Sequence, residues 1–339
     1  MTQFPQQIVA ETARQFGISR QAVSIQLRRL VQEGAVRAEG RTRGRRYALA
    51  QPELERIFAK TITPGLAEDQ VWRETVEPLL RDAPPNVFEI CHHGFTEIFN
   101  NVADHAEAAN SWIRLKRGAG RIQLTIGDDG VGIFEKIRRV CRLDDHRHAI
   151  LELAKGKLTT DPDKHTGEGI FFTSRMFDRF SILSGKLFFA HTGDDDWLIE
   201  DAEHEQAGTV VTMSIAPTSP RTTKEVFERY ATEANQYGFT KTHVPVSLAV
   251  YGAEQLVSRS QAKRLLARFD RFKEVFLDFH GVATIGPAFA DEIFRVFRRE
   301  HPDVKLVWVR TTPDVEAVIH VALRAAETPP EPGTLGSGT

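Results

Sequence analysis

The sequence predicts a multidomain α/β chain, on three observations. Residues 1–50 read as two short helices followed by a basic hairpin. Residues 86–217 carry an amphipathic helix, a pair of strands and several glycine-rich loops. Residues 218–326 alternate strand with helix. A length of 339 residues allows two or three domains with separate cores. With 41% hydrophobic and 27% charged residues the chain is of the soluble globular class. Its formal net charge of -2 means that any surface for nucleic acid must be local. The only two cysteines, Cys91 and Cys141, are too few for a disulfide framework or a four-cysteine zinc site, and both are expected to stay reduced. The start, MTQFPQQIVAETARQ, lacks the basic-then-apolar pattern of a secretory signal, and no apolar run is long enough to span a bilayer. The expectation is a cytoplasmic protein. No internal repeat is visible.

Gln6 to Phe16 has helical spacing, with Ile8, Val9, Ala13 and Phe16 on one side. Gly17 breaks it, and Ser19 can cap a second helix that buries Val23, Leu27 and Leu30 and stops at Gly34. The stretch AVRAEGRTRGRRYALA then reads as two short strands around a glycine-punctuated tip. Residues 1–50 hold nine arginines, no lysine and three glutamates, a net +6. Five of the arginines, Arg37, Arg41, Arg43, Arg45 and Arg46, fall in the hairpin. Nearly all of this segment resembles the winged helix-turn-helix family of bacterial regulators. The resemblance implies double-stranded DNA as partner and a homodimer reading two half-sites. It places Ser19, Arg20, Gln21 and Ser24 at base or phosphate contacts, with Arg28 and Arg29 further along and the wing arginines on phosphates. A protein-binding winged helix with merely solvated arginines is the alternative, and the charge excess favours DNA.

Residues 51–85 read as a helical connector. Pro52 to Lys60 is expected to extend as a helix, Pro64-Gly65 marks a boundary, and Asp69 to Arg81 is a helix burying Val71, Trp72, Val76, Leu79 and Leu80.

The next region is organised around Phe95 to Ala106, FTEIFNNVADHA. Glu97, Asn101 and His105 recur every fourth residue, so a helix stacks them on one face. Phe95, Ile98, Phe99 and Val102 form the packing face, and Asn86 after Pro84-Pro85 is expected to cap the helix. A carboxylate, an amide and an imidazole in one row suit a metal-nucleotide site. Trp112 to Arg117 and Arg121 to Ile126 alternate as paired strands, and the second runs into Gly127-Asp128-Asp129-Gly130-Val131-Gly132. Thr166-Gly167-Glu168-Gly169 and Gly208-Thr209-Val210-Val211-Thr212 follow. These four boxes, in this order, resemble the GHKL ATPase superfamily, an α/β sandwich.

The resemblance implies ATP and Mg²⁺ as cofactors. Asp128 would accept a hydrogen bond from the adenine amino group. Gly130 and Gly132 would let the backbone approach the ligand, and Asn101 would be an oxygen ligand of Mg²⁺. Glu97 stands at the general-base position, and His105 and Thr209 belong to the matching boxes. Gly167 and Gly169 open an apolar helix whose N–H groups suit phosphate. Phe134 to His165 would be the lid, offering Lys155, Lys157 and Lys164 to phosphates. Glu168 departs from the small or apolar residue of many relatives, which puts turnover in doubt. The sets Cys91, His92, His93 and Cys141, His146, His148 meet no standard metal-ligand spacing.

After the linker at Pro217 to Pro220, Val244 to Val250, Glu274 to Phe279 and Lys305 to Val309 read as strands. Ser258 to Phe269, Ala288 to Glu300 and Pro313 to Ala325 read as helices, and the alternation predicts a small mixed sheet with helices. VFLDFHGVATIGPAFADEIFRVF resembles the STAS domain, and more closely STAS-like domains of unknown function. Gly286, Pro287 and Ala288 stand where phosphorylatable STAS domains carry serine. Arg259 with Asp291-Glu292 reads as surface pairing or a partner-binding edge. Residues 327–339 read as a disordered tail.

Two functional expectations follow. One is a DNA-binding transcription regulator switched by ATP binding or slow hydrolysis. The other is a serine/threonine protein kinase, like the anti-sigma kinases, acting on a STAS partner. A two-component histidine kinase is disfavoured, because no histidine precedes His92.

Overall fold

A computed structural model describes residues 8–327, apart from residues 33, 35, 41–44, 50–53, 119, 159–166, 194, 201–204, 232–238 and 251–253. It divides into two compact units. One comprises Met1–Lys136 with Phe172–Val226, the other Ile137–Phe171 with Phe227–Thr339. The chain is mixed α/β, with both antiparallel and parallel sheets. Among the described residues no helix is long and apolar enough to cross a membrane.

The first unit begins with α1 (Ile8–Phe16) and α2 (Arg20–Gln32), followed by the antiparallel pair β1 (Val36–Glu39) and β2 (Arg46–Leu49). Val23, Leu27, Val36 and Tyr47 form its small core, with Ile8, Val9, Ala13 and Leu30 packed around them. Phe16, expected on the packed side, ends α1 at 67% exposure.

The rest of this unit is built on a seven-stranded sheet, order β3-β4-β5-β9-β6-β7-β8, antiparallel at every pairing. Its strands are β3 (Leu54–Thr61), β4 (Asn110–Gly118), β5 (Arg121–Asp128), β6 (Arg179–Gly185), β7 (Leu187–Thr192), β8 (Asp195–Glu200) and β9 (Gln206–Ile215). The expected helical extension at Pro52 to Lys60 is therefore wrong. Leu54, Ile57 and Phe58 mimic helical spacing, but the segment pairs with β4 from Leu54–Arg117 to Thr61–Asn110. Edge pairing gives its backbone partners that local spacing cannot reveal.

Short helices α3 (Glu68–Thr75) and α4 (Glu77–Leu80) precede the long α5 (Pro85–His105). Pro84 is the N-cap of α5 and Pro85 takes the first turn, where its missing N–H costs nothing. Asn86 is not the cap; its amide donates to the carbonyls of Ser219 and Arg221, 2.8 Å each. Phe95, Ile98, Phe99 and Val102 are buried as their spacing requires. A β-carbon at Gly94 would lie 2.5 Å from the Phe177 ring, so glycine lets the helix seat closely.

Helices α6 (Ile133–Cys141) and α8 (Gly169–Met176) each carry the chain across the division between units. The second unit holds α7 (His146–Lys155) and a three-stranded sheet, order β10-β11-β12. These strands are β10 (Lys241–Pro245), β11 (Glu274–Asp278) and β12 (Lys305–Val309). The sheet is parallel throughout rather than mixed. Its crossovers carry α10 (Arg259–Leu266) and the run α11 (Pro287–Asp291), a π-helical Glu292–Phe297 and α12 (Arg298–Glu300). Helix α9 (Thr223–Arg229) stands before the sheet and α13 (Pro313–Glu327) after it. Val244, Val275 and Leu277 are fully buried, as central parallel strands require. The expected strand Val244 to Val250 stops at Pro245 and continues as a 3-10 turn over Val246–Ala249. Ser258 caps α10 in a reciprocal capping box with Gln261.

Helix α7 is enclosed from His148 to Lys155. Its Lys155 is fully buried, 2.6 Å from Glu152, and donates to the carbonyls of Arg264 (3.0 Å) and Ala267 (3.1 Å). Arg268 donates to the other Glu152 oxygen at 2.5 Å. Burial pushes the Glu152 carboxyl up, yet Lys155 and Arg268 together hold it below the ordinary range. Burial likewise draws Lys155 down to about 8 against the pull of Glu152. Removing one member strands a buried charge. Lys155→Ala is expected to lower the unfolding free energy by about 3 kcal/mol in urea denaturation, whereas Arg14→Ala, at an exposed pair with Glu11, should give no resolvable change.

Candidate functional site

Strand β5 delivers Asp128 to the end of a buried strand, and the loop beyond it is tied down on all sides. Asp128 Oδ1 accepts from the backbone N–H of Gly130 at 2.9 Å and of Thr209 at 3.3 Å. Among the described residues no donor bonds Oδ2. Burial pushes this carboxyl above the ordinary range, against the two backbone N–H groups. Asp129 faces outward and accepts from the N–H groups of Ala109 and Asn110 and from the Asn110 amide. Val131 N–H donates to the carbonyl of Ala106, just past α5, at 2.9 Å. The loop and the C-terminal end of α5 are therefore one assembly.

The glycines serve this assembly first. A β-carbon at Gly130 would lie 2.1 Å from the Ala106 carbonyl oxygen. At Gly132 it would meet the Ser184 hydroxyl at 2.6 Å, and at Gly208 the Asp128 carbonyl oxygen at 2.1 Å. Gly132 and Gly208 also have positive φ, 85° and 67°. Sequence reasoning assigned Gly130 and Gly132 to ligand approach; here their space is taken by the protein itself. Ser184, whose hydroxyl donates to the Gly208 carbonyl at 2.9 Å, carries no sequence signal. The Thr209 hydroxyl accepts from Ile133 N–H at 2.9 Å, at the first residue of α6.

Glu97, Asn101 and His105 are half-buried along α5. The Asn101 amide donates to the Glu97 carbonyl at 2.7 Å, which leaves its oxygen as the acceptor. A single amide oxygen beside a carboxylate suits Mg²⁺ held mainly by phosphates. No group of three or more His, Cys, Asp or Glu suited to a metal occurs among the described residues. The Cys91 thiol is buried and pushed up to about 12, so it stays protonated.

Thus the structure brings together α5, the Asp128 loop and Thr209. Gly167 and Gly169 belong to the second unit. There Gly167, at φ 73°, accepts from Leu158 N–H at 3.1 Å. Burial pushes the half-buried Glu168 carboxyl up, and neighbouring Lys157 opposes this. Lys155 is locked in its own unit. Lys157 donates to the Arg271 carbonyl at 2.8 Å and lies over the Phe239 and Phe272 rings. Neither is free for phosphate. Thr166 and Lys164 lie outside the described residues.

In the N-terminal segment the Ser19 hydroxyl accepts from Ala22 N–H at 3.1 Å and so caps α2. Ser24 donates to the Arg20 carbonyl at 2.8 Å. Arg20, Gln21, Arg28 and Arg45 are exposed. Arg41 and Arg43 lie outside the described residues.

In the second unit Gly286 caps α11, and a β-carbon there would lie 2.7 Å from the Val257 backbone. Arg259 pairs with Asp291 at 3.3 Å and Glu292 at 3.7 Å. Residues 261–316 match the family described as a STAS-like domain of unknown function, DUF4325. No curated protein matches the chain.

The folded pKa of Asp128 lies above its unfolded value. Its ionised form therefore costs stability; the cost is absent below the unfolded pKa and complete above the folded one. Asp128→Asn can keep both backbone bonds through Oδ1 and alters only the open atom. It is expected to melt no lower than the parent at neutral pH in a thermal-unfolding measurement. Gly65 and Gly208 separate backbone strain from crowding. Gly65→Ala, with nothing nearby, is expected to cost about 1 kcal/mol for its positive φ, and Gly208→Ala about 2 kcal/mol more in chemical denaturation.

Proposed function

We propose that this protein is an ATP-binding, DNA-binding regulator in which a GHKL-like site switches DNA or partner binding. The observation that carries the reading is the Asp128 carboxylate. One of its oxygens is spent on two backbone N–H groups, and the other is available to accept from an adenine amino group. Its loop is bonded to the end of the helix that presents Asn101 and Glu97. Asn101 would hold Mg²⁺, which would neutralise phosphate charge. Glu97 would orient a water or hydroxyl nucleophile.

The helix pair with its basic hairpin supports a winged-helix reading of residues 1–50, and a net +6 on this segment supports DNA as its partner. Nucleotide switches such a protein only if it binds two conformations with different affinity.

The kinase reading draws on one specific observation, a STAS-like domain in the same chain. That domain carries no hydroxyl at Gly286, Pro287 or Ala288. Position 286 has no room for one either, so a substrate hydroxyl would come from another protein.

Incubation with γ-labelled ATP and cell extract separates the two readings. Free phosphate or no turnover, with ATP-dependent shifts of promoter DNA, is expected; label on a protein band favours the kinase instead. Asn101→Ala should lose the Mg²⁺ dependence of ATP binding. If both Asn101→Ala and Asp128→Asn bind labelled ATP as the parent does, the site assignment fails. Arg20→Ala and Arg28→Ala should each reduce the slope of log affinity against log salt by about 1, and unchanged slopes would overturn the DNA contacts.

A further inference from the structure

The outward face of α2 carries one large apolar side chain that the fold does not require. Val23, Leu27 and Leu30 face the small N-terminal core. At about 3.6 residues per turn, the opposite side of the helix holds Gln21, Ile25, Arg28 and Gln32 in one row. All four are exposed, Ile25 by 55%. Two other exposed hydrophobics lie nearby, Phe16 and Ile18. Phe16 ends α1, and Ile18 precedes the Ser19 cap, where an apolar residue commonly closes on the first helical turn. Ile25 has no such local role. A β-branched residue at an outward helical position is also a poorer helix former than alanine, so helix formation gains nothing from it.

The surroundings of Ile25 indicate what it meets. Ser19 and Ser24 are engaged within the helix, the first as its cap and the second on the Arg20 carbonyl. The row left facing outward is an amide, an apolar side chain, a guanidinium and a second amide. Protein-docking faces centre on several apolar and aromatic groups. Here a single isoleucine is framed by polar groups, in a segment of net +6 with Arg20 and Arg29 also exposed. That pattern complements the major groove of duplex DNA. Its rims are negative phosphates, and its floor offers hydrogen-bonding edges and one kind of apolar group, the C5 methyl of thymine.

We propose that Ile25 selects a thymine in the major groove by packing on its C5 methyl group. Gln21, one turn nearer the start of α2, lies beside it to bond a neighbouring base edge, for which an amide fits adenine. The contact discriminates through the methyl group. Uracil presents the same O4 acceptor without it, and cytosine replaces that acceptor with an amino donor. The proposal rests on the DNA reading of residues 1–50 and adds to it the base that α2 selects.

The test uses the full chain, with and without Mg²⁺ and ATP. Duplexes are selected from a random-sequence pool, and each thymine of the selected site is then replaced singly by uracil. At one thymine position the parent is expected to lose affinity about fourfold, the worth of one buried methyl group. Ile25→Ala should bind the thymine and uracil duplexes alike while keeping the parent's thermal unfolding. Ile25→Val, which retains an apolar branch, should keep part of the discrimination. Parent affinity that no uracil changes overturns the methyl contact and leaves the DNA reading standing. Parent-like discrimination in Ile25→Ala overturns it too. If Ile25→Ala instead weakens every duplex equally and dissociates a dimer in sedimentation, the face joins two copies of the chain and the base contact is wrong. Retention of no duplex by the parent overturns the DNA reading, and the base contact with it.

Discussion

The interaction on which the candidate site depends is the pair of backbone N–H groups on Asp128 Oδ1. Gly130 supplies one from the same loop, and Thr209 supplies the other from β9, 81 positions on. The second bond forms only if β5 and β9 pair in register, Gly127 beside Val210. The carbonyl of Asp128 in turn leaves no room for a side chain at 208. One buried carboxylate therefore ties together strand register, loop conformation and the positions that must be glycine. It stays buried at a cost, because its ionised form is disfavoured there. A carboxylate retained against that cost, with one oxygen unspent, is a functional candidate on physical grounds.

The second unit handles buried charge differently. Glu152 is satisfied by Lys155 and Arg268, so its carboxyl is held down where that of Asp128 is pushed up. The same contrast sorts the lysines. Lys155 and Lys157 look from sequence like phosphate contacts on a lid, yet both close carbonyls of the C-terminal unit. Helix α7 is thus part of that unit's core, held there by a buried ionic network.

Much was legible in the residues themselves. The apolar and polar faces of α5 follow from four-residue spacing, and the two paired strands before Asp128 follow from alternation. The Ser258 cap and the alternating strands and helices of the STAS-like domain follow from local chemistry. Glu97, Asn101 and Asp128 could be singled out because each combines a residue type with a position that local pattern sets. The strands from Arg179 to Glu200 were not read, nor was β3, whose Leu54, Ile57 and Phe58 imitate a helix. Asn86 was misjudged as a cap, because its partners Ser219 and Arg221 are far along the chain.

What the sequence by itself determined is therefore local: which faces pack, where turns fall, and which polar side chains share a helix face or end a strand. Tertiary structure alone decided that Gly130, Gly132 and Gly208 make room for the protein's own atoms. It alone decided that Ser184 supports the loop and that residues 137–158 belong with the C-terminal unit. The physical reason is that periodicity and capping act within a few residues. Register, close packing and the neutralisation of buried charge are settled by groups distant in the chain, which no local pattern records.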